Sequence, residues 1–332
     1  MTTAQYKKGI EIVVMSHDRQ VETLRAVAAI KKIDFGVPTT IVVSDNPSTE
    51  RNIVQGLPAD VKHIVRSPCV SSNEHLSLIW KDFSHEWTLL THDDDELLPA
   101  LGDYFRENSH KKEVTLITGL SRIISPEGLT IRDAGYESRL TAANLYNENS
   151  QTANTLHNYL FDLGSLFPAS AMIIKNGSVD FSVWNNDYAL AGDIAHSLKA
   201  SLSGTTCFQG EVPIMNYYLH GGNSVYTSGA AGGLMADFCI TRFDFLTQHP
   251  DWANSKRKKQ LSKASLAARI LAKSFKLTAR YKNVSEYGKR ANMSTEGKAV
   301  HPFALIPLPL GPLQPLVRFL MWRRLGVRRI KP

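Results

Sequence analysis

Residues 87–99 read WTLLTHDDDELLP, a short apolar run of β type that ends without a spacer in His92-Asp93-Asp94-Asp95-Glu96. Four consecutive acidic side chains repel one another, and the least costly reason to hold them together is a divalent cation. In an open α/β sheet, ligands bind outside the carboxyl ends of the strands, and the acidic run falls there if 87–91 is a strand. Oxygen ligands suit Mg2+ or Mn2+ rather than zinc. The competing reading is a solvated acidic turn that caps a helix starting near Leu97.

The segments around this run predict its setting. IEIVVM (10–15) is a β-type run. VETLRAVAAIKKI (21–33) follows, with Val21, Leu24, Ala28 and Ile30 near helical spacing. TTIVVSD (39–45) is β-branched and closed by the turn-rich NPSTE. Strand, helix and strand in this order predict a βαβ unit and a parallel sheet. VKHIVR (61–66) adds a strand and EHLSLIWKDF (74–83) a helix. Downstream, EVTLITGLSRII (113–124) reads as a strand or a pair, SAMIIK (170–175) and VPIMNYYLH (212–220) as strands, and DIAHSLKASL (193–202) as a helix. The fold class expected is α/β.

A chain of 332 residues fits about two domains. Its 43% apolar content excludes a disordered polypeptide, and no run of 18 apolar residues makes a membrane span. The only apolar stretch near the N-terminus is short and interrupted by Glu11, so no signal peptide is expected. Cys69, Cys207 and Cys239 are odd in number and widely spaced, which fits a reducing cytosol. Charge is divided unevenly. Residues 251–332 carry 19 Lys/Arg against three acids, a net of +16, while the first 250 residues carry 19 basic and 28 acidic groups. An acidic body with a basic tail points to a polyanionic partner for the tail alone.

Five segments in order resemble a family 2 glycosyltransferase with the GT-A fold, of the bacterial surface-polysaccharide type. IEIVVMSHDRQVETL is similar to the opening strand and turn of that family, TTIVVSDNPSTE to its second strand, and WTLLTHDDDELLP to the strand that carries its D-x-D metal motif. LAGDIAHSLKA (190–200) resembles the acidic acceptor-site segment, and NYYLHGGNS (216–224) the tyrosine- and histidine-containing strand after it. The resemblance implies a GT-A-like, Rossmann-type mixed sheet flanked by helices over residues 1–250. Its nucleotide-sugar part covers about residues 1–100 and its acceptor part about 101–250. A basic helical and Pro-rich extension follows at 251–332. The chain departs from the pattern with His92 opening the metal motif, Ser44 before Asp45, and Gly192 before Asp193.

The same resemblance implies a metal-dependent, inverting sugar transfer from a nucleoside diphosphate sugar to a hydroxyl of a glycan or lipid-linked acceptor. Charge left on the diphosphate calls for Mn2+ or Mg2+ as a Lewis acid. Asp95 is the expected direct ligand, with Asp93, which is also placed at the ribose, and His220 completing the metal set. Asp45 accepts hydrogen bonds from the nucleoside, Ser16 and His17 line the same pocket, and Asp94 falls on the donor side. Asp193 is the expected base for the acceptor hydroxyl; an N-cap role is the competing reading for that residue.

Two other function classes compete. A Mg2+-dependent nucleotidyltransferase also gathers acids at a strand end, but SHDRQ (16–20) is not the glycine- and lysine-rich phosphate loop such enzymes use. A non-catalytic protein gripping nucleic acid with its tail conflicts with the acidic body, which phosphates repel, so nucleic acid is not the partner expected. The tail instead suits an anionic membrane. Phe319 and Trp322 are interfacial groups among Arg318, Arg323, Arg324, Arg328 and Arg329, and Pro302, Pro307, Pro309, Pro312 and Pro315 forbid a regular spanning helix. The expected location is cytoplasmic, peripheral on the inner face of the cell membrane. Ending the chain after Val300 should release it from anionic vesicles, since each basic residue near the surface contributes about 1 kcal/mol. Sedimentation with vesicles checks this, and equal pelleting of both chains excludes the membrane role.

Overall fold

Among the residues that the computed structural model describes (6–70, 72–125, 127–131, 169–178, 204–218 and 220), the chain opens with the expected βαβ unit. β1 (Lys7–Ser16), α1 (Gln20–Ile30) and β2 (Thr39–Asp45) come first, then β3 (Lys62–Val65), α2 (Ser72–Lys81) and β4 (His85–His92). After the acidic run come β5 (Glu96–Leu97), α3 (Pro99–Asn108), β6 (Val114–Gly119), β7 (Ser121–Ile124) and β8 (Thr130–Ile131). The last strands are β9 (Met172–Lys175), β10 (Thr205–Gln209) and β11 (Met215–Tyr218). All described residues except His220 belong to one of two compact units of the chain.

The strands form two sheets. The larger has the order β10-β6-β9-β4-β1-β2-β3. β3, β2, β1 and β4 run parallel, and β10 is parallel to β6. β9 is inserted antiparallel between β4 and β6. The sheet is therefore mixed, with helices on its faces, as the resemblance implied. The smaller sheet has the order β5-β11-β7-β8. The segment 113–124 is indeed a pair of strands, divided at Leu120 between the two sheets. β10 and β11 divide in the same way, and Leu120 N–H to Gln209 O (3.0 Å) with Ile214 N–H to Leu120 O (2.9 Å) stitches the two crossings together.

β1 is buried on both faces from Gly9 to Val14, as a central strand in a covered parallel sheet must be. α1 stands where the sequence places it, but a different face is buried. Thr23, Ala26, Val27 and Ile30, at spacing i, i+3, i+4 and i+7, face inward, while Val21 is 76% exposed and Ala28 points outward. Thr23 sets this face. Its hydroxyl donates to Arg19 O at 2.6 Å and lies 2.8 Å from Ser16 Oγ, so a polar residue occupies a position that apolar periodicity passes over.

α3 is an element the sequence reading carries only in its competing form, a helix starting near Leu97. It opens with Pro99 at its first position, where the missing N–H costs nothing. Gly102 lets it approach the connection between α1 and β2, because a Cβ there would lie 2.5 Å from Asp34 O. Leu101 and Phe105 are fully buried, and Phe105 meets Phe35 and Trp87 edge to face at centroid distances of 5.7 and 5.5 Å. Phe105→Ala should therefore lower the unfolding free energy by about 3–5 kcal/mol, read from urea melts.

Candidate active site

The parallel register brings three strand ends level. Ser16 pairs with Asp45 and Met15 with His92. The ladder runs one residue further on each side, Asn46 N–H donating to Ser16 O at 3.0 Å and Asp93 N–H to Met15 O at 3.2 Å. The acidic run therefore stands at the carboxyl end of β4, beside the ends of β1 and β2.

It is not a helix cap. α3 begins at Pro99 with Leu98 as its N-cap, has no side-chain cap bond and carries no acid in its first turn. Two arginines of the α1 region hold the run instead. Arg19 Nη1 bonds Asp94 Oδ2 and lies 3.4 Å from Asp93 Oδ1, and Arg25 Nη2 donates to Asp94 O at 3.2 Å. Asp93 Oδ2 also accepts from the His17 N–H at 3.0 Å. Asp95 is 2% exposed. Its Oδ2 accepts from the Ser170 hydroxyl, whereas its Oδ1 is buried and has no hydrogen-bond partner among the described residues.

His92, Asp94 and Asp95 each direct one ligand atom into a group that spans no more than 4.8 Å. Burial and the charge of Asp94 push the Asp95 carboxyl up to about 8, against the opposing Ser170 hydrogen bond. Burial raises Asp93 to about 6, although the His17 amide and Arg19 oppose the shift. Desolvation pulls His92 down, which keeps its imidazole neutral and able to ligate. A divalent cation fits this donor set: it would take up the unpartnered Asp95 oxygen and favour the ionised carboxylates that burial disfavours.

The expected residues fall into three groups. Asp45 is fully buried, and its Oδ2 accepts from Val54 N–H (2.8 Å) and lies 3.2 Å from His63 Nε2. Its Oδ1 is an acceptor with no partner among the described residues. His17 is half exposed, with Nδ1 2.6 Å from Asn46 O, so it lines the cleft between the ends of β1 and β2. Ser16 is fully buried; because Thr23 donates to Arg19 O, the Ser16 hydroxyl donates to Thr23, and the residue shapes the cleft from behind. Asp93, Asp94 and Asp95 come together as expected, but Asp93 faces His17 and Arg19 while His92 joins Asp94 and Asp95. His220 is partly buried and belongs to the second compact unit, and Asp193 lies outside the described residues.

Glu96, which closes the acidic run, and residues the sequence did not single out complete the surroundings. Glu96 accepts from Tyr218 Oη (2.6 Å) and Asn216 Nδ2 (2.9 Å), and Arg25 lies 4.4 Å over the Tyr218 ring. Burial pushes Glu96 up, but these two hydrogen bonds outweigh it and hold the carboxyl below its usual range. Arg25 thereby links the acidic run to the smaller sheet.

No family model and no curated protein matches the chain. Solved structures do. S. aureus TarS 1–349 in complex with UDP-GlcNAc aligns at a TM-score of 0.51 and 14% identity, over 96% of this chain and 88% of that one. The mannosyltransferase PcManGT of Pyrobaculum calidifontis, in complex with GDP-Man and Mn2+, aligns at 0.47 and 11%, over 98% and 88%. The likeness to TarS, together with the mixed seven-stranded sheet, gives the chain a GT-A fold.

The shifted carboxyls make stability depend on pH. Folded Asp95 holds its proton up to about 8 against an ordinary value of 3.8, so the folded state binds more protons than the unfolded state between those limits. Metal-free protein should accordingly lose stability as pH rises from about 4 to about 8, with Asp93 contributing only up to about 6. Asp95→Asn should flatten the upper part of that slope in thermal melts with chelator. A slope that survives the substitution assigns it to another group.

Proposed function

Starting from the GT-A fold, we propose that the chain is a glycosyltransferase that takes a nucleoside diphosphate sugar and passes the sugar to a hydroxyl of a glycan or lipid-linked acceptor. One observation carries the reading: at the carboxyl end of β4 a buried carboxylate, Asp95, keeps an unpartnered oxygen and belongs to one group of converging ligand residues with Asp94 and His92. TarS with UDP-GlcNAc, on the same fold, supports a nucleotide-sugar donor.

Asp95 is the direct ligand in this reading, with His92 and Asp94 beside it. A bound Mn2+ or Mg2+ would supply Lewis-acid stabilisation of the charge left on the departing diphosphate. Asp93, fixed by the His17 amide, faces the ribose or a metal-bound water, and His220 remains a proposed further ligand. Asp45 offers its free oxygen to an N–H of the base, and His17 covers the same end of the cleft. The acceptor hydroxyl loses its proton to Asp193 as it attacks the anomeric carbon from the side opposite the diphosphate, which inverts the configuration. The basic tail, residues 251–332, would keep the enzyme at an anionic membrane where lipid-linked acceptors lie, and this supports a role in surface polysaccharide synthesis.

A panel of nucleotide-sugars assayed with and without Mn2+ tests the reading. Turnover of at least one donor should need the cation. Asp95→Ala should reduce it by about 10²-fold or more. Asp193→Asn should slow transfer by a factor on the order of 10² while leaving donor affinity near that of the parent. Pyrophosphate release when a nucleoside triphosphate and a sugar 1-phosphate replace the nucleotide-sugar would instead identify a nucleotidyltransferase, and salt-sensitive RNA binding without turnover a binding protein.

A further inference from the structure

We propose that Ser170 is a positioning residue for the cation site: its hydroxyl fixes one oxygen of Asp95 and thereby leaves the other for the metal. The inference rests on the cation reading above. Ser170 lies in the single 3-10 turn Ala169–Ala171 that leads into β9, and it is 2% exposed. Its Oγ accepts from the His92 N–H at 3.3 Å and donates to Asp95 Oδ2.

With Asp95 ionised, as a bound cation would hold it, the direction of each bond is forced. A backbone N–H only donates, an ionised carboxylate only accepts, and a hydroxyl has a single proton. With His92 N–H on its lone pair, the Ser170 hydroxyl has its proton left for Asp95. That bond restrains rotation of the carboxylate, which otherwise turns freely about a broad, roughly two-fold torsion. The result is asymmetric: Oδ2 is satisfied, and Oδ1 is buried without a partner among the described residues. A buried acceptor left in this way is costly, so a ligand is the expected reason for it.

One hydroxyl also touches two of the three converging residues, the main chain of His92 and the side chain of Asp95. It comes from the turn that leads into a different strand, since β9 pairs antiparallel with β4 through Leu90 and Met172. Hydrogen bonds of this kind orient metal ligands, and their loss weakens metal affinity by about 10–100-fold.

Mn2+ alone is titrated into the full chain without nucleotide, and free Mn2+ is read by electron paramagnetic resonance. Ser170→Ala should bind Mn2+ about 10–100-fold more weakly, and Ser170→Thr should return the affinity to near that of the parent. In an Asp95→Asn background Ser170→Ala should add nothing. Ser170→Cys keeps the volume with a much weaker donor and should show the same weakening, including where the alanine variant does not fold. Cysteine and alanine variants that bind Mn2+ like the parent overturn the role of Ser170, while the cation site stands if Asp95→Asn still abolishes binding. A parent chain that binds no Mn2+, or binds it equally well as Asp95→Asn, overturns both.

Discussion

Repulsion within the acidic run is the constraint that the rest of the site answers. Three carboxylates follow one another where β4 ends, two of them almost fully buried. Each is handled differently. Asp93 is tied to a backbone amide and reaches toward Arg19, Asp94 is neutralised by Arg19, and Asp95 is left with one hydroxyl and an unfilled oxygen. Arg19, the N-cap residue of α1, lies within ion-pair distance of the first two and not of the third. That division, rather than the density of acids, singles out Asp95.

The same helix serves both sheets. Thr23 and Ile30 face the large sheet, while Arg25 covers the Tyr218 ring and bonds the main chain of Asp94. Tyr218 and Asn216 in turn hold Glu96, the last residue of the acidic run. A displacement of β11 is therefore transmitted to the backbone carrying Asp94 and Asp95 along two routes, one through Arg25 and one through Glu96. Packed elements of this kind move as units rather than deform continuously.

Much of the frame was legible in the sequence because it rests on short apolar, β-type runs: IEIVVM and TTIVVSD are strands where the pattern puts them, and SAMIIK becomes one from Met172 onward. α3 entered the reading only as the helix of the competing acidic-turn assignment; its proline opens the helix and its glycine permits close packing. The buried face of α1 was misjudged because Thr23 enters the interior through hydrogen bonds that hydropathy does not register. At the site, the acidic run and its place at a strand end were legible. Which of its side chains converge was not, since that depends on backbone direction after β4, and this sets His92 with Asp94 and Asp95 and turns Asp93 toward His17. Ser170 lies 75 residues from Asp95 in the chain, beyond the reach of any local motif.

The insertion of β9 between β4 and β6 has a consequence for biosynthesis. Domains are made from the N-terminus onward, and β9 is translated long after β1 through β4. Until it emerges, one side of β4 is an open edge: Trp87, Thr88, Leu89 and Leu90 expose main-chain donors and acceptors that β9 later takes up. An apolar edge of that kind is a template for pairing with another chain. The nascent protein thus passes through an interval in which the strand bearing its acidic run has no neighbour on that flank. His92 and Asp95 likewise wait for the Ser170 hydroxyl, so the site matures later than the strand that carries it.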